Sequence, residues 1–485
     1  MNTPIILPLL GYLLLVAGIS LFAMRQQKRA KGAFLNEYFL GGRTLGGFLL
    51  AMTLTTAYVS ASSFIGGPGA AYKYGLGWVF LAMVQVPAVW LSLGVLGKKF
   101  AILARRYNAV TLNDILWAHF RSSLVVWIAS ITLLLAFIAV MAVQFIGGAR
   151  LLESVAGIPY TQGLLIFGGI IALYTALGGF RASVLNDAMQ GLVMLVGTFL
   201  LLFAVIHAAG GTTQAVTTLQ HINPQLTEPN GAGGIISSHL LVSFTVLVCF
   251  GVLGLPNTAV RCIAYRDSKA VHRGILLGTL VMMLLMLGMH LSGALGRAIL
   301  PDMAVPDLVI PALMMKVLPP FAAGIFLAAP MSAIMSNVNA HLLQASATLI
   351  KDLYLRLFPE RAANEAHIRR LSTWLTLGLG ILLIITAWRP PEMIIWLNLL
   401  AFGALETVFL WPLVLGLYWQ KANATGAVSS MLCGAISYTL LVSLKIQWWG
   451  FHPIVPSLLL SLVAFLIGNR LGKPTLRVST PGMEQ

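Results

Sequence analysis

TLTTAYVSASSFIGGPG, residues 53–69, decides the fold. The stretch lies inside an apolar run, yet it carries Thr53, Thr55, Thr56, Ser60, Ser62 and Ser63, followed by Gly66, Gly67, Pro68 and Gly69. In hydrocarbon every backbone amide needs a partner, so a span that invites its own helix to unwind is tolerable only where the freed carbonyls line a buried cavity. Discontinuous helices of this kind build ion and ligand sites near the bilayer midplane.

The surrounding composition is that of a polytopic membrane protein. Hydrophobic residues make up 58% of the 485 and charged residues only 9%, where a soluble domain carries roughly 25%. Apolar runs of about 20 residues recur from end to end. Thirteen are expected, at about 3–24, 46–66, 75–97, 122–146, 159–179, 187–208, 239–260, 274–296, 320–349, 371–388, 394–418, 424–444 and 453–470. The first lacks a basic leader before it and a small-residue cleavage site after it, and is expected as a retained helix. The long gaps near 209–238 and 297–319 read as loops rich in Gly, Pro and Thr.

A formal charge of +16 would suggest a nucleic-acid partner if the cations formed one patch, but they alternate by side. With the N-terminus outside, 24 of the 30 Lys and Arg fall on the inner face. The other six, Lys73, Arg150, Arg297, Lys316, Arg389 and Lys445, fall on the outer face. The positive-inside rule is met with the N-terminus out and the C-terminus in the cytoplasm, which needs an odd number of spans.

A second interruption stands at 250–258, FGVLGLPNT, in the seventh span. Pro256 removes an amide donor there. The two broken spans are five apart, and five is odd, so a five-span unit repeated once must be inverted the second time. The expected organisation is a first helix and cytoplasmic loop over 1–45, a first repeat over 46–210, an outer loop over 211–238, a second repeat over 239–420, and two helices with a short tail over 421–485.

Few side chains are candidates for chemistry. Of 14 acidic residues nearly all lie in loops; Asp187 opens the sixth span and Glu406 lies well inside the eleventh. An intramembrane carboxylate is costly and marks a functional candidate. Asp187 reads either as a helix cap, or tie to Arg181, or as part of a sodium route; Glu406 reads either as a hydrogen-bonded packing residue or as an anchor for substrate or a second cation. In the ninth span, AAPMSAIMSNVNAHLLQASATLIKDLY (328–354), Ser336 and Asn337 with the carbonyl of Ala333 form an oxygen shell of the kind a small hard cation takes. His290 and His341 are isolated and read as packing residues. Cys249, Cys262 and Cys433 have no CxxC spacing and read as buried small side chains. There is no P-loop, so pumping must draw on an ion gradient. No cofactor, catalytic residue, nucleic acid or obligate protein partner is expected, and the chain does not read as an enzyme.

Three stretches carry a resemblance: YTALGGFRAS at 174–183, PNTAVRCIAYRDSKA at 256–270, and GLYWQKANATGA at 416–427. On these the chain resembles the sodium:solute symporter family over nearly its whole length. The resemblance implies a leucine-transporter-like five-plus-five inverted repeat in a bacterial inner membrane, working by alternating access with sodium as the coupling ion. It implies sodium ligands at the carbonyls of Thr56, Val59 and Ala333 and the side chains of Ser336 and Asn337. The last ligand is usually a Ser or Thr hydroxyl, and here it is an amide oxygen. Asp187 matches an acid implicated in sodium release toward the cytoplasm, and Tyr58 stands where proline-carrying relatives have an acid.

FLNEYFLGGR, SASSFIGGPGAAYKYGLGW, LGKKFAILARRYNAVTLND and FHPIVPSLLLSL resemble the branch that carries pantothenate, which is therefore the expected cargo; another small carboxylate or amino acid is the alternative. Pantothenate offers a carboxylate, an amide, two hydroxyls and a gem-dimethyl group, and the expected spans contain no midplane Lys or Arg to meet the carboxylate. The positive ends of half-helices beside Gly66 and Pro256 would supply that charge. Ser60, Ser62, Ser63, Gln85, Gln144, Asn257 and Asn398 are the candidate hydrogen-bond partners, with Trp396 and Phe64 closing over the methyl groups. A channel is disfavoured by broken helices without a filter-like repeat, and a membrane enzyme or sensor by the lack of a catalytic dyad or signalling domain.

Overall fold

The computed structural model describes residues 3–29, 43–390 and 394–473, and among these the chain is all helical apart from one isolated bridge between Leu45 and Tyr265. Ten helices are long and apolar enough to cross a membrane, and two further pairs qualify as single spans bent at a break. In chain order the first elements are α1 (Thr3–Arg29), α2 (Gly47–Tyr58) and α3 (Gly67–Tyr74), the last preceded by a π turn at Ser62–Gly66. Then come α4 (Leu76–Arg106), α5 (Ser123–Ala156) and α6 (Tyr160–Ala208). The second broken span is α7 (Ser238–Gly254) with α8 (Pro256–Ala264), followed by α9 (Ser268–Gly296), α10 (Val309–Val317) and α11 (Pro320–Leu357). The chain closes with α12 (Glu365–Thr386), α13 (Ile394–Tyr418), α14 (Ala424–Ser443) and α15 (Ile454–Leu471).

Twelve of the thirteen expected spans thus find helices at their places. The thirteenth, 159–179, is represented by a shorter apolar stretch, Tyr160–Leu173, at the head of α6, and the expected separation from 187–208 is absent because the helix runs on through 49 residues. At 1.5 Å per residue that is about 70 Å, more than one crossing of a hydrocarbon layer roughly 30 Å thick. The side chains of residues 177–182 between the two runs, Arg181 among them, lie outside the described residues, as do the expected cytoplasmic loop at 30–42 and the tail from 474. The two gaps expected as loops contain short helices: Thr212–Ile222 in one and α10 in the other.

Both breaks are real and both are bent, by 70° between α2 and the Ser62–Tyr74 half and by 46° between α7 and α8. The first falls at Val59–Ser60, where Val59 is extended and caps α2 through its N–H to the Thr55 carbonyl. That lies inside the 53–69 stretch singled out in the sequence, ahead of the Gly66–Gly69 cluster. Those glycines sit inside the second half-helix and allow close approach: a Cβ on Gly67 would meet the His290 ring, and one on Gly69 would meet the Pro306 carbonyl. The orphaned N–H of Ala61 donates to Gln144 Oε1 at 2.7 Å, so a side chain from α5 satisfies a donor that the break released. The second break comes where expected, with Leu255 extended and Pro256 opening α8, a position where proline costs no hydrogen bond.

The start of the first broken span and the end of the second are pinned together. Leu45, just before α2, donates its N–H to Ala264 O and accepts from Arg266 N, while Arg105 caps the carbonyls of Tyr265 and Arg266 at 2.9 Å each. Small residues let α9 close on α2: Cβ atoms on Gly274 and Gly278 would touch Leu50 and Ala51. This is how helices associate where lipid supplies no hydrophobic drive.

Candidate functional site

At the first break the helix stops accepting hydrogen bonds from its own amides. The carbonyls of Thr56 and Val59 take no backbone donor among the described residues. Ala57 O accepts instead from two side chains, Asn337 Nδ2 at 2.7 Å and Asn257 Nδ2 at 3.3 Å. Asn257 belongs to α8 and Asn337 to α11, so one carbonyl of the first break joins the second broken span and the ninth. Tyr58 extends the link, its hydroxyl donating to Val248 O on α7 at 2.8 Å. The expectation that the two broken spans face each other is met by these contacts.

The expected sodium ligands gather here. Thr56, Val59, Ala333, Ser336 and Asn337 are all buried, each with 0% exposure. Because Ala57 O requires a donor, the Asn337 amide must present nitrogen to it, and Oδ1 is left buried with no partner. An unsatisfied buried carbonyl oxygen costs about 1–3 kcal/mol, and a small hard cation relieves that cost. Ser336 donates its hydroxyl proton to Asp187 Oδ1 at 2.5 Å, which leaves its oxygen lone pairs facing elsewhere. A hydroxyl whose proton is held by a carboxylate is the better cation ligand, since its oxygen gains negative character.

Asp187 does not cap a helix. It lies mid-helix in α6, fully buried, and also accepts from Thr53 Oγ1 at 2.5 Å. Its charged neighbour is Arg261, with NH2 3.8 Å from Oδ2. Arg261 falls just past the expected seventh span, 239–260, and was counted with the loop cations of the inner face; the structure instead places it buried in a helix. It is 2% exposed in α8, donating from Nε to Thr53 O at 2.9 Å and from NH1 to Asn257 O at 2.9 Å. The helical spacing of Asn257 and Arg261, four residues apart, was the signal available for this: it returns the guanidinium to the carbonyl of its own first turn. A buried charge of this kind persists only where it is paired and hydrogen-bonded.

Next to the breaks, Ser62, Ser63, Gln85 and Asn398 line one cavity with Tyr58, Trp78, Phe244, Val248, His290, Ile395, Leu399 and Phe402. A mostly aromatic and aliphatic wall with a few convergent polar groups is the usual make-up of a small-molecule site. Ser60 joins indirectly, its hydroxyl 2.9 Å from that of Ser62, and Asn398 Oδ1 is buried without a partner. His290, read as packing, has its ring against Gly67 and also borders the cavity, with Nδ1 donating to Met286 O at 2.7 Å. No Lys or Arg lines the cavity.

Several candidates fall outside this wall. Gln144 holds Ala61 N, Gly66 lies within the π turn, and Phe64 is fully buried away from the cavity. Trp396 is exposed and meets Trp78 edge-on with centroids 5.9 Å apart. Pro256 lines a second cavity beside Arg261, Gln344 and Asp352. The helix end nearest this cavity is at Ser62, ahead of the Gly66 position expected for it.

Glu406 is buried against the second break with neither carboxylate oxygen hydrogen-bonded, and a Cβ on Gly251 would collide with that carboxylate. Gly251→Ala is thus expected to displace Glu406 and lower thermal stability of the purified protein by several degrees, since overpacking costs typically 1–3 kcal/mol. Gly251→Ala combined with Glu406→Ala is expected to recover most of that loss, and a double variant no more stable than the single would remove the contact from consideration.

These features define a class: a multi-pass carrier in which two broken helices expose main-chain oxygens beside a buried small-molecule cavity. The chain belongs to the sodium:solute symporter family, whose profile matches residues 38–434. It is 70% identical over 472 residues to the sodium/pantothenate symporter of Escherichia coli K12, covering 97% of each chain. It is 58% identical over 473 residues to that of Haemophilus influenzae, covering 98% of this chain and 97% of the relative. A sodium-coupled sialic acid symporter solved in a substrate-bound, outward-open state shares the fold at TM-score 0.82 and 19% identity, over 98% of both chains.

Proposed function

We infer that this chain imports pantothenate by sodium symport. The observation that carries the sodium half is the unpaired, fully buried Oδ1 of Asn337 beside the free carbonyls of Thr56 and Val59. The names of the two relatives above carry the cargo half. Thr56, Val59, Ala333, Ser336 and Asn337 hold the ion, and Asp187 draws it toward the inner side through Ser336. The cargo lies in the cavity of Ser62, Ser63, Gln85, His290 and Asn398, its gem-dimethyl group against the Trp78, Phe244 and Phe402 side.

The protein sits in the bacterial inner membrane with its N-terminus outside, on the distribution of its Lys and Arg. Alternating access follows from the bends: sodium at the first break fixes the angle between half-helices and so fixes the cavity wall they share. One charge crossing 100 mV is worth about 2.3 kcal/mol, so one sodium carried with the monovalent anion cancels its electrical cost and leaves the sodium concentration gradient to drive import. Radiolabelled pantothenate uptake into proteoliposomes tests the reading. Accumulation is expected under an inward sodium gradient and not under a potassium or proton gradient alone; equal accumulation without sodium would overturn it.

A further inference from the structure

The sequence places six Lys and Arg on the cation-poor face, and three of them meet around one open mouth. Lys73 comes from the end of α3, Arg150 from the last turns of α5 and Arg297 from the end of α9, and all three line a cavity of about 980 Å³. Its remaining wall is the 301–306 segment and Pro390, and Asp302 is the one acidic residue among its lining. Three cations against one acid in a concave site set a positive local potential.

The cations are not fully engaged. Arg297 lies over the Tyr72 ring at 5.1 Å and spends NH1 on Tyr72 O at 3.2 Å, while its Nε is buried with no partner. Lys73 is exposed and makes no ion pair among the described residues. Arg150 is the most neutralised, bound to Glu153 at 2.8 Å. A plainer account exists, because all three stand near helix C-termini, where a cation is worth roughly 0.3–1 kcal/mol to its own helix. That account does not explain why three separate helices deliver their cations to one cavity.

The mouth connects to the inner cavity along one helix. Lys73 is ten residues from Ser63, a cavity-lining hydroxyl, or about 15 Å along the axis. We propose that this mouth is an encounter site for the carboxylate of the cargo, in which Arg297 and Lys73 gather the anion before it passes along α3 to a cavity that has no cation of its own. The proposal rests on the inferred import of an anionic cargo. Because the groups are solvent-facing, the attraction operates over a Debye length, about 10 Å at 0.1 M salt and 3 Å at 1 M.

The test is initial-rate uptake by right-side-out membrane vesicles at fixed low sodium, with ionic strength raised by choline chloride. At low ionic strength, Lys73→Gln/Arg297→Gln is expected to raise the KM for pantothenate on the order of three- to tenfold. Maximal rate and sodium half-saturation should be unchanged, and the gap should close near 0.5 M salt. For the alcohol analogue, in which CH2OH replaces the carboxylate, variant and wild type should not differ. Lys316→Gln, a cation of the same face outside this mouth, should not change KM. An unchanged KM in the double variant, or an equal change for the alcohol analogue, would overturn the mouth while leaving the import reading intact. Failure of the wild type to take up pantothenate in the same vesicles would overturn the import reading itself.

Discussion

Asp187→Asn is expected to reduce sodium-driven uptake to less than a tenth of wild type and to lower the amount of folded protein in the membrane. The substitution keeps the shape but removes the charge facing Arg261, whose guanidinium is 2% exposed and forms no ion pair with another carboxylate among the described residues. Breaking a buried pair by removing one partner costs about 3–5 kcal/mol, because the remaining charge stays buried and uncompensated. Arg261→Gln should cost a similar amount from the other side, leaving Asp187 with only the hydroxyls of Thr53 and Ser336. The double variant is the informative one. Removing both charges should return most of the stability, read by thermal unfolding in detergent, while uptake stays low because Ser336 no longer donates to a carboxylate. A double variant as unstable as either single would show that the two groups do not form an energetic pair; one that transports normally would remove Asp187 from the sodium route.

The pair also links elements that must move together. Arg261 is on α8 of the second broken span and Thr53 on α2 of the first, and the bond from Arg261 Nε to Thr53 O ties them. Beyond them Leu45 pairs with Ala264 and Arg266. Neither α2 nor α8 can therefore tilt without straining the other. That gives the paired breaks a physical content beyond their symmetry: the bends are separate, but α2 and α8 are one unit.

Much of this was legible in the residues, and the parts that were not have identifiable causes. The apolar runs and the Thr/Ser/Gly/Pro interruption located the broken spans, because hydrocarbon penalises unsatisfied amides strongly enough to constrain sequence. The break at Val59–Ser60 falls inside the 53–69 stretch, but the start of the half-helix beyond it was expected beside Gly66, since glycine serves close helix contact as readily as it serves unwinding, and at Gly67 and Gly69 it serves contact with His290 and Pro306. Arg261 was assigned to a loop because hydropathy averages a window and does not register one cation folded back on its own helix. A lone histidine on a helix carries no spacing signal, and the place of His290 beside the cavity is set by α3 crossing α9. Asp187 stands out in the sequence, but its pairing with Arg261 joins α6 to α8 and has no local pattern; the side chain of Arg181, the partner considered there, lies outside the described residues. Tyr58, Trp78 and Phe244 come together only through tertiary packing of three spans, which no local pattern encodes.

Asn337→Ala is expected to raise the sodium concentration for half-maximal uptake tenfold or more, which corresponds to about 1.4 kcal/mol per decade. The residue has two jobs. Its nitrogen holds Ala57 O at the break, and its oxygen is the unpaired acceptor next to the freed carbonyls. Asn337→Ser separates them: it keeps a hydroxyl oxygen for the ion but is too short to bridge to Ala57 in the same way. If the oxygen matters more, Asn337→Ser should regain much of the sodium affinity that Asn337→Ala loses; if the bridge matters more, the two variants should be alike. Ser336→Ala should act in the same direction as Asn337→Ala, since it removes both a ligand and the hydrogen bond to Asp187. Because coupling between two ligands is reciprocal, pantothenate affinity should fall with sodium affinity in each variant. Calorimetric titration of pantothenate into purified protein, with and without saturating sodium, reads this directly. Wild type should bind more tightly with sodium, and the variants should lose most of that difference. A variant that loses sodium affinity yet keeps the full sodium effect on pantothenate binding would show that the ion acts somewhere other than the first break.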